Sequence, residues 1–190
     1  MSALLERPAP GSRLSVPQYH ALIAGGILTE NDNVELLDGQ LVAKMPKNRR
    51  HGFFNELIAN LMAGILPDGW HTENQQAITL ATGEPEPDVL VLRGGLADYT
   101  VNHPVAADLG LVVEVSDTTL RTDRGVKLAQ YASAGIPVYW IVNLIDNRVE
   151  IYSQPAGQAY GLCEVKGFNE PIDVVLDGKA IGSIRLEDGV

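Results

Sequence analysis

Leu109-Gly110-Leu111-Val112-Val113-Glu114-Val115, then a helical stretch from Thr122 to Ala134, then Val138-Tyr139-Trp140-Ile141-Val142, is the run of sequence that decides the fold. The two outer pieces are short, nearly unbroken apolar runs, which predict central strands covered on both faces. The stretch between them is capped by Gly135 and closed by Pro137, as a helix end requires. Strand, helix and strand at this spacing predict a βαβ crossover with a parallel strand pair.

Val89 to Leu92 predicts a further central strand, and Thr72 to Leu80 a strand before it, separated by a Gly-Glu-Pro-Glu-Pro turn. From Arg49 to Leu66 the apolar residues Phe54, Leu57, Ile58, Leu61, Met62 and Ile65 fall at helical spacing, and Pro67-Asp68-Gly69 ends the helix. Asp38-Gly39 between Val34-Glu35-Leu36-Leu37 and Gln40-Leu41-Val42-Ala43 predicts a hairpin, because this turn pair tolerates positive φ. Ser15-Val16-Pro17 predicts a helix start that runs towards Gly25-Gly26. Residues 1–13, rich in Pro, Ala and Ser, read as a loose leader, and 14–190 as one α/β domain ending in an antiparallel edge from Arg148 onward.

Length and composition suit this reading: 190 residues, 45% hydrophobic and 20% charged, with no apolar run near the ~20 residues of a membrane-spanning helix. No secretory signal is read at the start, and a single cysteine, Cys163, cannot form an internal disulfide; both point to a reducing cytoplasm. The net charge of −10, from 24 acidic against 14 basic residues, argues against passive charge-driven nucleic-acid binding. It leaves room for an enzyme that meets phosphate through a bound cation. Lys44, Lys47, Arg49 and Arg50, running up to His51, form a local basic stretch that reads equally as a solvated loop or a phosphate-contacting edge.

Asp88 and Glu114 lie in or beside predicted central strands, among residues that want burial. A carboxylate there is costly unless it is paired or bound to a cation. Two on neighbouring strands repel, and a divalent metal turns that repulsion into attraction; Mg2+ prefers carboxylate oxygens with several retained waters. The bland alternative makes each a strand-end cap or an Arg partner. Asp123, Lys127 and Tyr131 recur at intervals of four and share one helix face. Lys127 then leans back towards the strand of Glu114, where an ammonium polarises a metal-bound water or neutralises phosphate charge. Its bland alternative is an exposed i,i+4 pair with Asp123, worth only ~0.3–0.5 kcal/mol. Zinc is excluded as a structural centre, since His20, His51, His71 and His103 are scattered and one cysteine gives no ligand pairs.

Several stretches resemble the PD-(D/E)XK nuclease superfamily, and more narrowly the Uma-type restriction-endonuclease family: Val34-Glu35-Leu36-Leu37-Asp38-Gly39, Glu86-Pro87-Asp88-Val89, Leu111-Val112-Val113-Glu114-Val115, Asp123-Arg124-Gly125-Val126-Lys127 and Tyr131-Ala132-Ser133-Ala134-Gly135 leading into Tyr139-Trp140. The resemblance implies a restriction-endonuclease-like mixed β-sheet flanked by helices. It implies Asp88 and Glu114 as metal ligands, Glu35 as the upstream acid that completes or orients the site, and Lys127 as the essential lysine. In the parent pattern a lysine stands two residues after the second acid; here that place is Ser116, and Lys127 matches the position to which Uma-type proteins move it. Asn143 and Asp117-Thr118 also depart from the family's usual residues. His51 recurs in such proteins and is a candidate phosphate contact, with Arg49 beside it.

The expected activity is metal-dependent hydrolysis of phosphodiester bonds, in DNA, by a homodimer with no membrane association. Mg2+ or Mn2+ would be held by Asp88, Glu114 and the backbone carbonyl of Val115 or Ser116. The rival expectation is a catalytically silent module of the same fold that binds nucleic acid or a protein partner.

Overall fold

A computed structural model describes residues 11–187; most of the expected leader, 1–10, lies outside the described residues, and so do 188–190. Helix α1 (Val16–Ala24) begins as expected, with Ser15 accepting from the Gln18 backbone in a capping box and Pro17 in the first turn. The hairpin β1 (Val34–Leu37) and β2 (Gln40–Ala43) turns through Asp38 and Gly39, both at positive φ. Helix α2 (Arg49–Ala63) is capped by Asn48, whose side chain accepts from the His51 backbone.

The main sheet has six strands in the order β3-β4-β5-β6-β7-β8: β3 (Trp70–Asn74), β4 (Val89–Arg93), β5 (Leu109–Ser116), β6 (Val138–Asn143), β7 (Arg148–Ala156) and β8 (Ala159–Gly167). Only β5 and β6 pair in parallel, across the crossover read from the sequence; the other neighbours are antiparallel. Cys163 sits on β8, exposed and free. A separate hairpin, β9 (Ile172–Leu176) and β10 (Lys179–Ile184), packs its apolar residues into the core below.

Period-two alternation divides the core. Val89, Val91, Val113, Val115, Trp140 and Val142 face α2 and the β9–β10 hairpin. On the opposite face Leu90, Leu92, Val112, Tyr139 and Ile141 meet Tyr131 and Ile136 of the crossover segment. Glu114 and Ser116 share the parity of Val112, which aims them at the crossover helix. Gly110 is needed where it stands, because a Cβ there would lie 2.5 Å from the Trp70 ring.

Two expectations change. The strand expected over Thr72 to Leu80 is instead Trp70–Asn74: Gln75 takes a positive φ of 54° and the remainder forms only isolated bridges. The crossover helix is not one α-helix from Thr122; it runs as Leu120–Thr122, a π-helical turn over Asp123–Lys127, then Leu128–Ser133. Among the described residues no helix is long and apolar enough to cross a membrane.

Candidate active site

Pairing between β4 and β5 runs from Leu92 with Leu109 to Val89 with Val113 and stops there, while β5 continues beside β6 to Ser116. The edge of β5 beyond Val113 is therefore open to a side chain, and Asp88, one residue before β4, fills it. Its Oδ2 accepts from the Val115 N–H at 2.9 Å and lies 3.1 Å from His51 Nε2; its Oδ1 accepts from Lys47 Nζ at 3.0 Å. Burial pushes the Asp88 carboxyl up, but the hydrogen bond and charge of His51, the Lys47 ammonium and the Val115 N–H outweigh it and hold the pKa below the usual value.

Glu114 enters from the next strand, on the crossover-helix face. Its Oε1 accepts from Lys127 Nζ at 2.9 Å and from the Tyr131 hydroxyl at 2.7 Å. Burial drives its carboxyl well above the ordinary range, opposed by the Lys127 charge. Glu35 arrives from the β1–β2 hairpin, which the Leu36–Glu84 bridge clamps to the segment before β4. Its Oε2 accepts from the Glu86 N–H at 3.0 Å, and its Oε1 lies 3.4 Å from Lys127 Nζ.

Lys127 thus joins Glu114 to Glu35, and its side chain is only 8% exposed. Burial alone would lower its pKa, but Glu114, Glu35 and Asp123 outweigh burial and raise it well above the ordinary lysine value, so the ammonium stays charged. The exposed pair with Asp123 is not what forms. The Asp123 Oδ2 instead accepts from Ser116 Oγ and Thr119 Oγ1, each at 2.6 Å, and burial raises its carboxyl against the opposing Lys127 charge.

Glu35, His51, Asp88, Glu114, Asp123 and Lys127 line one cleft. Arg49 stands exposed in the first turn of α2 and is not among the residues lining it. The sequence reading missed Lys47 as the Asp88 partner, and it missed the contact of Asp88 with His51. It also missed a second network at the crossover helix, where buried Glu150 accepts from Arg124, Asn143 and Tyr152. Here Asn143 serves as a donor, which the family's usual acid at this place could not do while ionised.

The chemistry of the donor set fits a hard divalent cation, although among the described residues no three His, Cys, Asp or Glu side chains stand together closely enough to enclose one. Mg2+ needs no such cage, since it is commonly held by one or two carboxylates and keeps its waters. Asp88 and Glu114 are close enough for the charge of one to raise the pKa of the other. The Ser116 carbonyl is taken by the Leu144 N–H at 2.8 Å, whereas the Val115 N–H donates to Asp88 on the other edge of β5. In the structure as it stands, the protein's own ammonium groups hold these acids.

Comparison with known proteins extends the picture. The family described as "Uma2: Putative restriction endonuclease" matches residues 16–180, most of the chain. A solved structure from Anabaena variabilis, described as that of "a putative nuclease belonging to DUF820", superposes with a TM-score of 0.67 at 12% identity, covering 93% of this chain and 97% of that one. At that identity the likeness speaks for the fold alone, a restriction-endonuclease-like mixed sheet. No curated protein matches the sequence.

Proposed function

Because the chain belongs to the Uma2 family, we propose that it is a metal-dependent nuclease that hydrolyses phosphodiester bonds in DNA at the Glu35, Asp88, Glu114 and Lys127 cleft. The observation that supports this most is the meeting of three acids and one buried lysine, drawn from the β1–β2 hairpin, the residue before β4, β5 and the crossover helix, at a single cleft. Asp88, Glu114 and the Val115 carbonyl would hold Mg2+ or Mn2+. The cation would supply a water of lowered pKa and stabilise charge on the phosphoryl oxygens.

The chain's own residues then have separate tasks. Lys127, held protonated by two acids, is a poor proton acceptor and acts as a fixed positive charge that orients water or stabilises the developing phosphate charge. Glu35 aims that ammonium. Tyr131 fixes the Glu114 carboxylate through its hydroxyl. His51 does the same for Asp88, rather than reaching outward to phosphate. A homodimer would present two such clefts, one for each strand of a duplex. A cytoplasmic setting suits the exposed thiol of Cys163.

A cleavage assay on plasmid, linear duplex and single-stranded DNA tests the proposal. Cutting is expected with Mg2+ or Mn2+ and not with a chelator, and is expected to fall about 100-fold or more in Lys127→Met. Metal-independent cutting, or full activity in that variant, would remove the mechanism. A second reading, a silent binding module, is favoured by the ammonium groups that already neutralise the acids; it predicts DNA binding with no cutting under any of these conditions.

A further inference from the structure

Two lysines reach the acids, and they differ in kind. Lys127 comes from the interior with its side chain 8% exposed, whereas Lys47 comes from the solvent side with its side chain 39% exposed. Lys47 belongs to the segment between β2 and α2, and residues 44–48 of that segment line the mouth of the cleft. The segment is tied down at both ends. Lys44 Nζ reaches Glu86 Oε1 at 2.7 Å, and Asn48 both caps α2 and donates to Asp117. Between these anchors, only the Lys47 side chain bridges from the mouth to Asp88.

Resting on the metal-dependent reading above, we propose that Lys47 is an exchangeable counterion: it neutralises Asp88 in the metal-free protein, leaves when a divalent cation binds there, and then contacts the phosphate backbone of the incoming nucleic acid. Three physical points lead to this. An ammonium and a divalent cation that meet at one carboxylate repel, and the more weakly held charge yields: Lys47, 39% exposed and paired with one acid, rather than Lys127, 8% exposed and shared by two. The ammonium end of the pair is 39% exposed while the Asp88 carboxylate is buried, so the lysine rehydrates readily as the incoming cation takes over the buried charge, and its flexible stem lets the ammonium move while the anchored backbone stays. A phosphodiester brings negative charge to the mouth at the moment the ammonium is freed. The exchange also gives an acidic protein a cation to offer phosphate only once the metal is in place.

The test compares wild type with Lys47→Met and Lys47→Arg, using calorimetric titration with Mn2+ alone, then anisotropy of a labelled DNA duplex in Ca2+ and in chelator. Lys47→Met is expected to bind Mn2+ about fivefold more tightly, since the ammonium no longer competes for Asp88 Oδ1. It is expected to bind the duplex several-fold more weakly in Ca2+ but not in chelator, and Lys47→Arg to behave as wild type in both. Unchanged or weaker Mn2+ binding by Lys47→Met, or an equal loss of duplex binding with and without Ca2+, overturns the exchange alone. Failure of wild type and Lys47→Met alike to bind Mn2+ overturns the metal-dependent reading and the exchange with it.

Discussion

Lys127 does two things at once, since it neutralises Glu114 and Glu35 inside the protein and offers a fixed positive charge to the cleft. Its removal therefore has a structural cost as well as a chemical one. Lys127→Met leaves two buried carboxylates without a cation, which is expected to cost about 3–5 kcal/mol in metal-free urea denaturation, with part of that recovered on adding Mn2+. A variant as stable as wild type without metal would contradict the ion pairing. The sign of its pH dependence follows from the raised pKa. The stabilisation is complete below the ordinary lysine value of 10.5 and is lost only in stronger alkali, so the neutral range sees no change from this group. Asp88 and Glu114 were legible in the sequence because carboxylates stand out among Val and Leu neighbours. Lys47 was not, because a loop residue has no periodicity to place it.

At the scale of elements, the crossover helix is held from two sides, by Lys127 towards β5 and by the paired contacts of Arg124 with Glu150 of β7. Burial raises the Glu150 carboxyl, but hydrogen bonds from Arg124, Tyr152 and Asn143 outweigh it and hold the pKa below the ordinary 4.5. A lowered carboxylate contributes stability above that ordinary value and loses it as pH falls through the lower folded one. Melting temperatures of wild type and Glu150→Gln should therefore differ at neutral pH and converge in acid; a constant gap would show that the pair does not set the difference. Gly110→Ala should destabilise by about 1–3 kcal/mol through overpacking against Trp70, read by thermal melting. The βαβ crossover was readable from its unbroken apolar strands. The π-turn was not, since Asp123, Lys127 and Tyr131 at intervals of four satisfy an α-helical face equally well. The misplaced end of β3 has a similar cause: nothing in the composition of residues 72–80 announces the positive φ at Gln75.

At the scale of the whole molecule, a chain of net charge −10 meets its cleft acids Glu35, Asp88 and Glu114 with lysine ammonium groups, so under the proposed function a divalent cation would act on both stability and nucleic-acid affinity. At about a hundredfold excess over its Kd, Mn2+ should stabilise wild type by about 2.7 kcal/mol and leave Asp88→Asn unchanged, as followed by thermal shift. Glu35 illustrates what a single sequence offers at this scale. It sits in a small hairpin outside the main sheet, and only the resemblance to a family connected it to acids more than fifty residues away. The most direct test of the central claim is an anomalous difference map from crystals grown with Mn2+. A peak is expected flanked by the Asp88 and Glu114 carboxylates, beside Val115, with Lys127 still reaching the same spot. An empty map at saturating Mn2+, with both lysine ammonium groups still seated on the acids, would contradict it.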